Sequence, residues 1–496
     1  MANNVTLVQP GQGRFFMQPG TKPSAAPEYY GQLGLGDTSV PLGELTPFYA
    51  PSSERANTWD IVDMAEGEPG LVSTELTARL DRDGRDIWFD WAMSRVATNG
   101  YALLFDKCKR VDAFDEWASA IIYKDLRPTE LTIPAISPLE PGDNGTPLAY
   151  TIPLQARVLM RVRTLQFEPQ AAALIEGEIV AGLIDDTGCD SRDFQNRAKK
   201  IYMLAKPNPG TPGTNPLLVY TNDGQTWQTD VINSLAGNAG VAMAMMGDRF
   251  IIVSTVDNAH HHTKKSAVDD GNSTWTRVGG TGSGYVSSKA PTDIYVMNSA
   301  QAFLCGQGGY IYLMTNPTRP VTPIVDGALT VQNLNAIHGH GHTIVAVGAS
   351  NAVLVSGNDG DTFALVVGPA AGVSLKSVCC ISDDVWLIGT ANGKLFATEN
   401  RGKRWSDITP DSDIAAVNSI RFERNGMVGY MAVTTSGGAG RTYRTITAGH
   451  IWSSEPPYLM NEPTSEAANV VIPFGANQIV VGGKVSSTDG IISIAS

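Results

Sequence analysis

The eight residues Ser356-Gly-Asn-Asp-Gly-Asp-Thr-Phe363 constrain the fold of this chain more than any other stretch. They lie between two strand-like apolar runs. The Ser356 hydroxyl and the Asn358 side chain can cap backbone groups of a tight turn. Gly360 can take the positive φ that such a turn needs, and Phe363 drops back onto the sheet. The same skeleton returns at Thr398, Asn400, Gly402 and Trp405, and again at Thr445, Gly449 and Trp452 with Thr447 in the acidic slot. A form one residue shorter runs through Thr221, Asp223, Gly224 and Trp227, and a degenerate form carries Asp270 and Trp275. The closing aromatics at 227, 275, 363, 405 and 452 are spaced 48, 88, 42 and 47 residues apart. The long interval reads as two periods of about 44 residues with one turn worn away near 315–321. A period of about 40–50 residues built from short strands predicts propeller blades.

Seven such units fall near 200–230, 240–277, 284–325, 331–367, 373–408, 415–455 and 468–496. Their apolar runs are strand length and β-branched, as at 250–253, 343–347 and 478–481. The last unit ends at residue 496, so the ring is expected to close by pairing strands from the two ends of this domain. A closed wheel leaves few exposed edges. Turns of this kind resemble the Asp-box of sialidase and photosystem-assembly-factor type β-propellers, here with Asn358 in the acidic slot.

The rest of the chain is read in the same way. A formal charge of −13 argues against a protein that grips nucleic acid through a broad basic surface. Five cysteines without CxxC spacing argue against a disulfide framework or a zinc site. No cofactor-binding motif is found; the glycines at 280–284 mimic a phosphate loop but follow no βαβ unit. The N-terminus lacks a basic start and an apolar core, so no secretion leader is expected. The most apolar window, 241–256, is broken by Asp248 and Arg249, so no membrane insertion is expected.

Residues 1–45 read as an arm, rich in Gly, Pro, Gln and Ser but carrying Phe15, Phe16, Tyr29 and Tyr30. Such an arm is expected to stay disordered or to order against a neighbouring subunit. Residues 46–185 read as a mostly-β domain: strand patterns at 71–80, 101–105, 117–123, 131–136 and 156–167, and one helix at 86–95. The polar stretch 186–198 reads as a linker to the propeller at 199–496. Residues 1–186 hold 26 acidic against 15 basic residues, so most of the charge imbalance lies there. One reading is a solvated surface; the other is a repulsive wall past which a polyanion slides without sticking.

The order of these features is specific. Glu66-Gly-Glu-Pro-Gly-Leu71 leads into a strand. A Trp-rich helix follows, then Phe105-Asp-Lys-Cys-Lys-Arg110, Asp115-Glu-Trp117 and a closing strand before Gly188-Cys-Asp190. This resembles the major tail tube proteins of long-tailed bacteriophages. The resemblance implies a β-sandwich with one helix, six copies in a ring, and rings stacked into a tube that carries DNA without binding it specifically. It implies a virion (tail) protein assembled in the host cytoplasm, with itself and other phage tail proteins as partners and the propeller decorating the outside.

Two other functions compete. The propeller could be an adhesin for a host-surface glycan or protein. It could be a sialidase-type hydrolase, but that chemistry needs three converging arginines, a Tyr–Glu pair and an acid, and the family's Arg-Ile-Pro phrase is absent. No catalytic residue is assigned and no enzyme activity is expected. His260-His-His262 and His338-Gly-His-Gly-His342 are read as solvated loop histidines, not metal ligands, since no carboxylate or cysteine sits at ligand spacing.

Overall fold

The computed structural model describes strands at 13–18, 31–32, 71–79, 98–105, 117–128, 149–163 and 167–170. It then describes 177–185, 200–207, 215–222, 226–235, 240–423, 426–450, 452–454, 467–475, 478–485 and 489–495. The chain divides into two compact units, Met1–Thr164 with Asp190–Phe194, and Leu165–Cys189 with Gln195–Ser496.

The first unit holds one six-stranded antiparallel sheet. Its spatial order is Gly31–Gln32, Gly13–Gln18, Thr98–Phe105, Trp117–Pro128, Ala149–Arg163, Leu71–Arg79. Period-two patterning placed four of these strands correctly. The expectation for the arm needs correction: Gly13–Gln18 pairs with the same chain's Thr98–Phe105, Phe16 opposite Tyr101. Phe15 and Phe16 lie on a strand of this sheet, while Tyr29 and Tyr30 lie outside the described residues. The helix expected at 86–95 and the strand at 131–136 lie outside the described residues. One sheet is seen among them, so the second layer of the expected sandwich is not.

The second unit is a seven-bladed β-propeller, seven four-stranded antiparallel sheets in a ring. Blade 1 comprises Ile179–Asp185, Lys200–Ala205, Leu217–Thr221 and Trp227–Val231. Blade 2 comprises Gly240–Met246, Arg249–Ser254, Ala259–Lys264 and Thr276–Gly279. Blade 3 runs through Pro291–Asn298, Gln301–Gly306, Tyr310–Met314 and Thr322–Asp326, and blade 4 through Leu334–His340, Thr343–Gly348, Ala352–Ser356 and Ala364–Val367. Blade 5 has Leu375–Cys380, Trp386–Thr390, Leu395–Thr398 and Ser406–Asp407, and blade 6 has Ile414–Phe422, Gly429–Thr435, Gly440–Thr445 and Ser453–Ser454. Blade 7 joins Ala467–Gly475, Gln478–Lys484 and Gly490–Ala495 to Phe167–Gln170. The first strands of successive blades touch all the way round, blade 7 back to blade 1.

The ring closes as expected, by a strand from the N-terminal side: Ile494 pairs with Glu168. The propeller therefore reaches back to Leu165 instead of beginning at 199. Residues 186–198, read as an interdomain linker, fall between the first two strands of blade 1. An apolar run such as 179–185 has the same pattern whichever sheet it joins, so the alternation could not place it.

The core is a set of layers between adjacent blades. Tyr202, Phe250 and Trp275 fill the layer between blades 1 and 2, and Phe303, Ile344 and Leu354 that between 3 and 4. Trp386, fully buried, fills the layer between 4 and 5. Each such side chain contributes roughly 1.5–3 kcal/mol of apolar burial, so every blade depends on its neighbours. None of the described helices is long and apolar enough to cross a membrane.

Candidate functional site: blade turns and the inner ring

The three full-length motifs form one turn, each between the third and fourth strands of its blade. In blade 4 the Ser356 hydroxyl accepts the N–H of Gly360 (2.9 Å) and of Asn358 (3.3 Å) and donates to Asn358 Oδ1 (2.9 Å). Asn358 Oδ1 in turn accepts the Thr362 N–H at 3.1 Å. In blade 5 Thr398 accepts from Gly402 (2.9 Å) and Asn400 accepts from the Arg404 N–H (2.8 Å). In blade 6 Thr445 accepts from Thr447 and Gly449, both at 3.1 Å. The residue before each glycine, Asp359, Arg401 or Ala448, also has positive φ. The turn thus has two consecutive left-handed residues held by one hydroxyl.

The glycine slot is set by packing as well as by φ. Gly360 has φ +86, and a Cβ there would lie 2.2 Å from Phe303 Cε1 in blade 3. The closing aromatic is an interblade wedge: Trp227, Trp275, Phe363, Trp405 and Trp452 each enter the layer between their own blade and the preceding one. Trp405 Nε1 also donates to the Val367 carbonyl of blade 4 at 2.9 Å. At the worn position in blade 3, Val321 occupies the corresponding layer.

Two motifs need comment. In blade 1, Thr221 is buried and Trp227 half-buried, while Asp223 and Gly224 lie outside the described residues. The degenerate form in blade 2 is corrected: Asp270 caps no turn of this kind. It is the exposed C-terminal neighbour of a short helix, Lys265–Asp269, and its own N–H bonds Ser266 O. Asp269 is the working carboxylate, accepting from Tyr202 Oη (2.7 Å), Lys265 (3.1 Å) and Lys200 (3.3 Å).

The histidines differ from expectation in part: His340 and His342 are exposed, as read, and the other four are not. His260, His261 and His262 are buried on the third strand of blade 2. His338 and His340 lie on the first strand of blade 4, and His342 follows a hairpin turn and faces Asp359 at 3.0 Å. Loop-like glycine and polarity concealed strand positions. No group of three or more His, Cys, Asp or Glu is placed to hold a metal ion among the described residues.

A feature absent from the sequence reading repeats at the inner ring. In every blade the pairing of first and second strands slips by one residue, leaving Val180, Val241, Thr292, Asn335, Lys376, Asn418 and Asn469 as bulges, with a further slip at Ala415 in blade 6. The five polar side chains among them reach to the next blade. Thr292 donates to Leu334 O (2.7 Å), Asn335 to Leu375 O (2.7 Å), Asn418 to Ala468 O (2.6 Å) and Asn469 to Ile179 O (3.0 Å). Lys376 donates to Asn418 Oδ1 at 2.5 Å, and its neighbour Ser377 to Val417 O at 3.0 Å. The belt runs from blade 3 to blade 1. It stops at Val180 and Val241, which have nothing to donate.

Deeper along the same strands lie Asp293, Tyr295, His338 and Arg421, all partly exposed. Asp293 accepts the Ile337 N–H at 2.9 Å, and burial raises its carboxyl despite that bond and the nearby Arg421. His338 Nδ1 accepts the Cys380 N–H at 3.1 Å, so the ring is neutral with its proton on Nε2. Burial, reinforced by Arg421 and His340, depresses its pKa to about 3. Blades 3, 4 and 6 thus carry a carboxylate, an imidazole and a guanidinium on their first strands, with Arg421 within electrostatic reach of the other two.

No family model and no curated protein matches the chain. Solved structures match the second unit. Virginiamycin B lyase from Staphylococcus aureus is 10% identical, over 67% of this chain and 99% of that one, with a TM-score of 0.52. A streptogramin B lyase is 9% identical over 67% and 98%, with a TM-score of 0.51. YCF48 bound to D1 peptide is 15% identical over 67% and 96%, at 0.47. What this chain shares with the lyases is the fold of a seven-bladed β-propeller.

Proposed function

We propose that the chain is a structural virion protein: a major tail tube subunit forming stacked hexameric rings, with its propeller as an outward decoration. The observation that carries this is the contrast in edges. The sheet of the first unit ends on Leu71–Arg79, a nine-residue strand with a single partner among the described strands. Such an edge is a template for a neighbour's strand, and ring symmetry uses it without leaving a free end. The propeller, by contrast, is closed on itself. The acidic excess of residues 1–186 suits a bore through which DNA passes without specific binding. Partners on this reading are further copies and other phage tail proteins, assembled in the host cytoplasm.

Electron microscopy of the purified full chain tests it: rings or tubes are expected. A chain that stays monomeric at every concentration and salt tested overturns the reading. A second reading, a host-glycan or host-protein adhesin, draws on the polar sector at Tyr295, His338 and Arg421. Binding of the full chain to host cells, lost in Arg421→Ala, would favour it.

A further inference from the structure

A hydrogen-bonded series of serine, histidine and aspartate lies in blade 2, apart from the turns and the inner ring. Ser234, half-buried, sits on a short 3-10 helix, Asn233–Leu235, that leads from blade 1 into blade 2. Its Oγ is 2.7 Å from His261 Nδ1. His261 Nε2 is 3.0 Å from Asp257 Oδ2, in the hairpin between the second and third strands of the blade. Asp257 is fixed in turn by Arg277, whose Nε donates to Oδ2 at 2.8 Å and whose second nitrogen donates to the Asp257 carbonyl at 2.7 Å. Asp257 and His261 lie four residues apart on one hairpin, and Ser234 joins them from 27 residues before His261.

Chemistry fixes the proton positions. A carboxylate only accepts, so in the neutral ring the imidazole proton is on Nε2 and Nδ1 carries the lone pair. Ser234 must then donate. Burial would raise the Asp257 carboxyl, but the bonds from His261 and Arg277 outweigh it and hold the pKa at about 2, so the group stays ionised. His261 is fully buried and cannot turn away. This is the arrangement that activates a serine nucleophile, with the two ring nitrogens exchanged relative to serine proteases.

We propose that Ser234 is a nucleophile toward activated acyl esters, with His261 as its base and Asp257 as a positioning residue. Ser234 Oγ bonds the acyl carbon while its proton passes to Nδ1. The bond to the leaving alkoxide breaks, and the alkoxide takes that proton. Water then releases the acid by the same route and restores the serine. The proposal is independent of the virion reading.

The test treats the full chain with a fluorophosphonate probe, where an O–P bond forms at serine, the P–F bond breaks and fluoride leaves. Peptide mass spectrometry should find a single adduct on Ser234. Ser234→Ala should abolish it, and His261→Asn should slow labelling by about 100-fold or more. Asp257→Asn should slow it less and alter the pH dependence of the labelling rate, which a merely structural carboxylate would not do. Circular dichroism of each variant establishes that it is folded, and Ser234→Ala removes only one oxygen. A folded wild-type chain that takes no adduct, or an adduct that persists in Ser234→Ala, overturns the proposal.

Discussion

Blades 4 to 6 and blades 2 and 3 must all bend the chain between their third and fourth strands, and they do it in opposite ways. In blades 4 to 6 one hydroxyl binds N–H groups two and four residues ahead, as Ser356 does. The device is local, and each copy carries its own cap. In blade 2 the bend is a short helix anchored in the neighbouring blade: Lys265 meets Asp185 at 2.9 Å, and Asp269 accepts from Tyr202 and Lys200. In blade 3, Asn316 caps the Thr318 N–H at 2.9 Å, and His260 of blade 2 bonds the Pro317 carbonyl at 2.8 Å. What the local turns do within eight residues, the others do with partners in an adjacent blade. The wedge into the interblade layer is common to both, whether Trp405 or Val321 supplies it.

The largest effect should come from the glycine slot. Gly360→Val combines a β-branched residue at φ +86 with a clash against Phe303, and should destabilise the propeller by about 3 kcal/mol or more. Thermal unfolding followed by circular dichroism would register it, and Gly360→Ala should cost less.

Next comes the nonlocal blade. His260→Phe leaves Pro317 O and Tyr285 Oη without their partner and should cost about 2–4 kcal/mol. It should also change the acid response. Burial lowers the His260 pKa to about 4, below its unfolded value near 6.5. The neutral ring therefore contributes stability above pH 6.5, and that contribution is lost as pH falls from 6.5 toward 4. The whole loss is on the order of 3 kcal/mol. Melting temperature against pH should fall over this window in the wild type and less steeply in the variant. Equal slopes would remove His260 from the account.

A smaller effect belongs to the local caps. Ser356→Ala orphans two N–H groups and should cost about 1–2 kcal/mol, whereas the same change at an uncapped blade turn should be within 0.5 kcal/mol or so. Smallest of all is Asn358→Asp. It restores the commoner acidic residue of the motif and keeps the acceptor for Thr362, but adds charge beside Asp359 and Asp361. A net change under about 0.5 kcal/mol is expected, and a large gain would show that the asparagine is a true weakening of the box.

Legibility follows this division. The turns at Ser356, Thr398 and Thr445 were readable because every group they bind lies within eight residues. The blade count followed from their spacing. The inner belt had a trace, a polar residue early in the first apolar run of a blade, as at Asn335, Asn418 and Asn469. The signal had no meaning until the bulge placed each opposite the next blade. His260 to His262 were misread because a run of His looks solvated, and His338 because glycine follows it; only neighbours such as Tyr285 and Cys380 show otherwise.

The sequence by itself determined the class of fold, the period of its blades and the location of its capped turns, since these depend on dihedral preference and on hydrogen bonds between near neighbours. The tertiary structure alone decided that Phe167–Gln170 closes the ring and that 179–185 opens it. It alone put Ser234 beside His261, and Asp293 and His338 near Arg421. Those outcomes depend on which strand meets which across the ring. A strand's alternation fixes which faces it buries but carries no label for its partner.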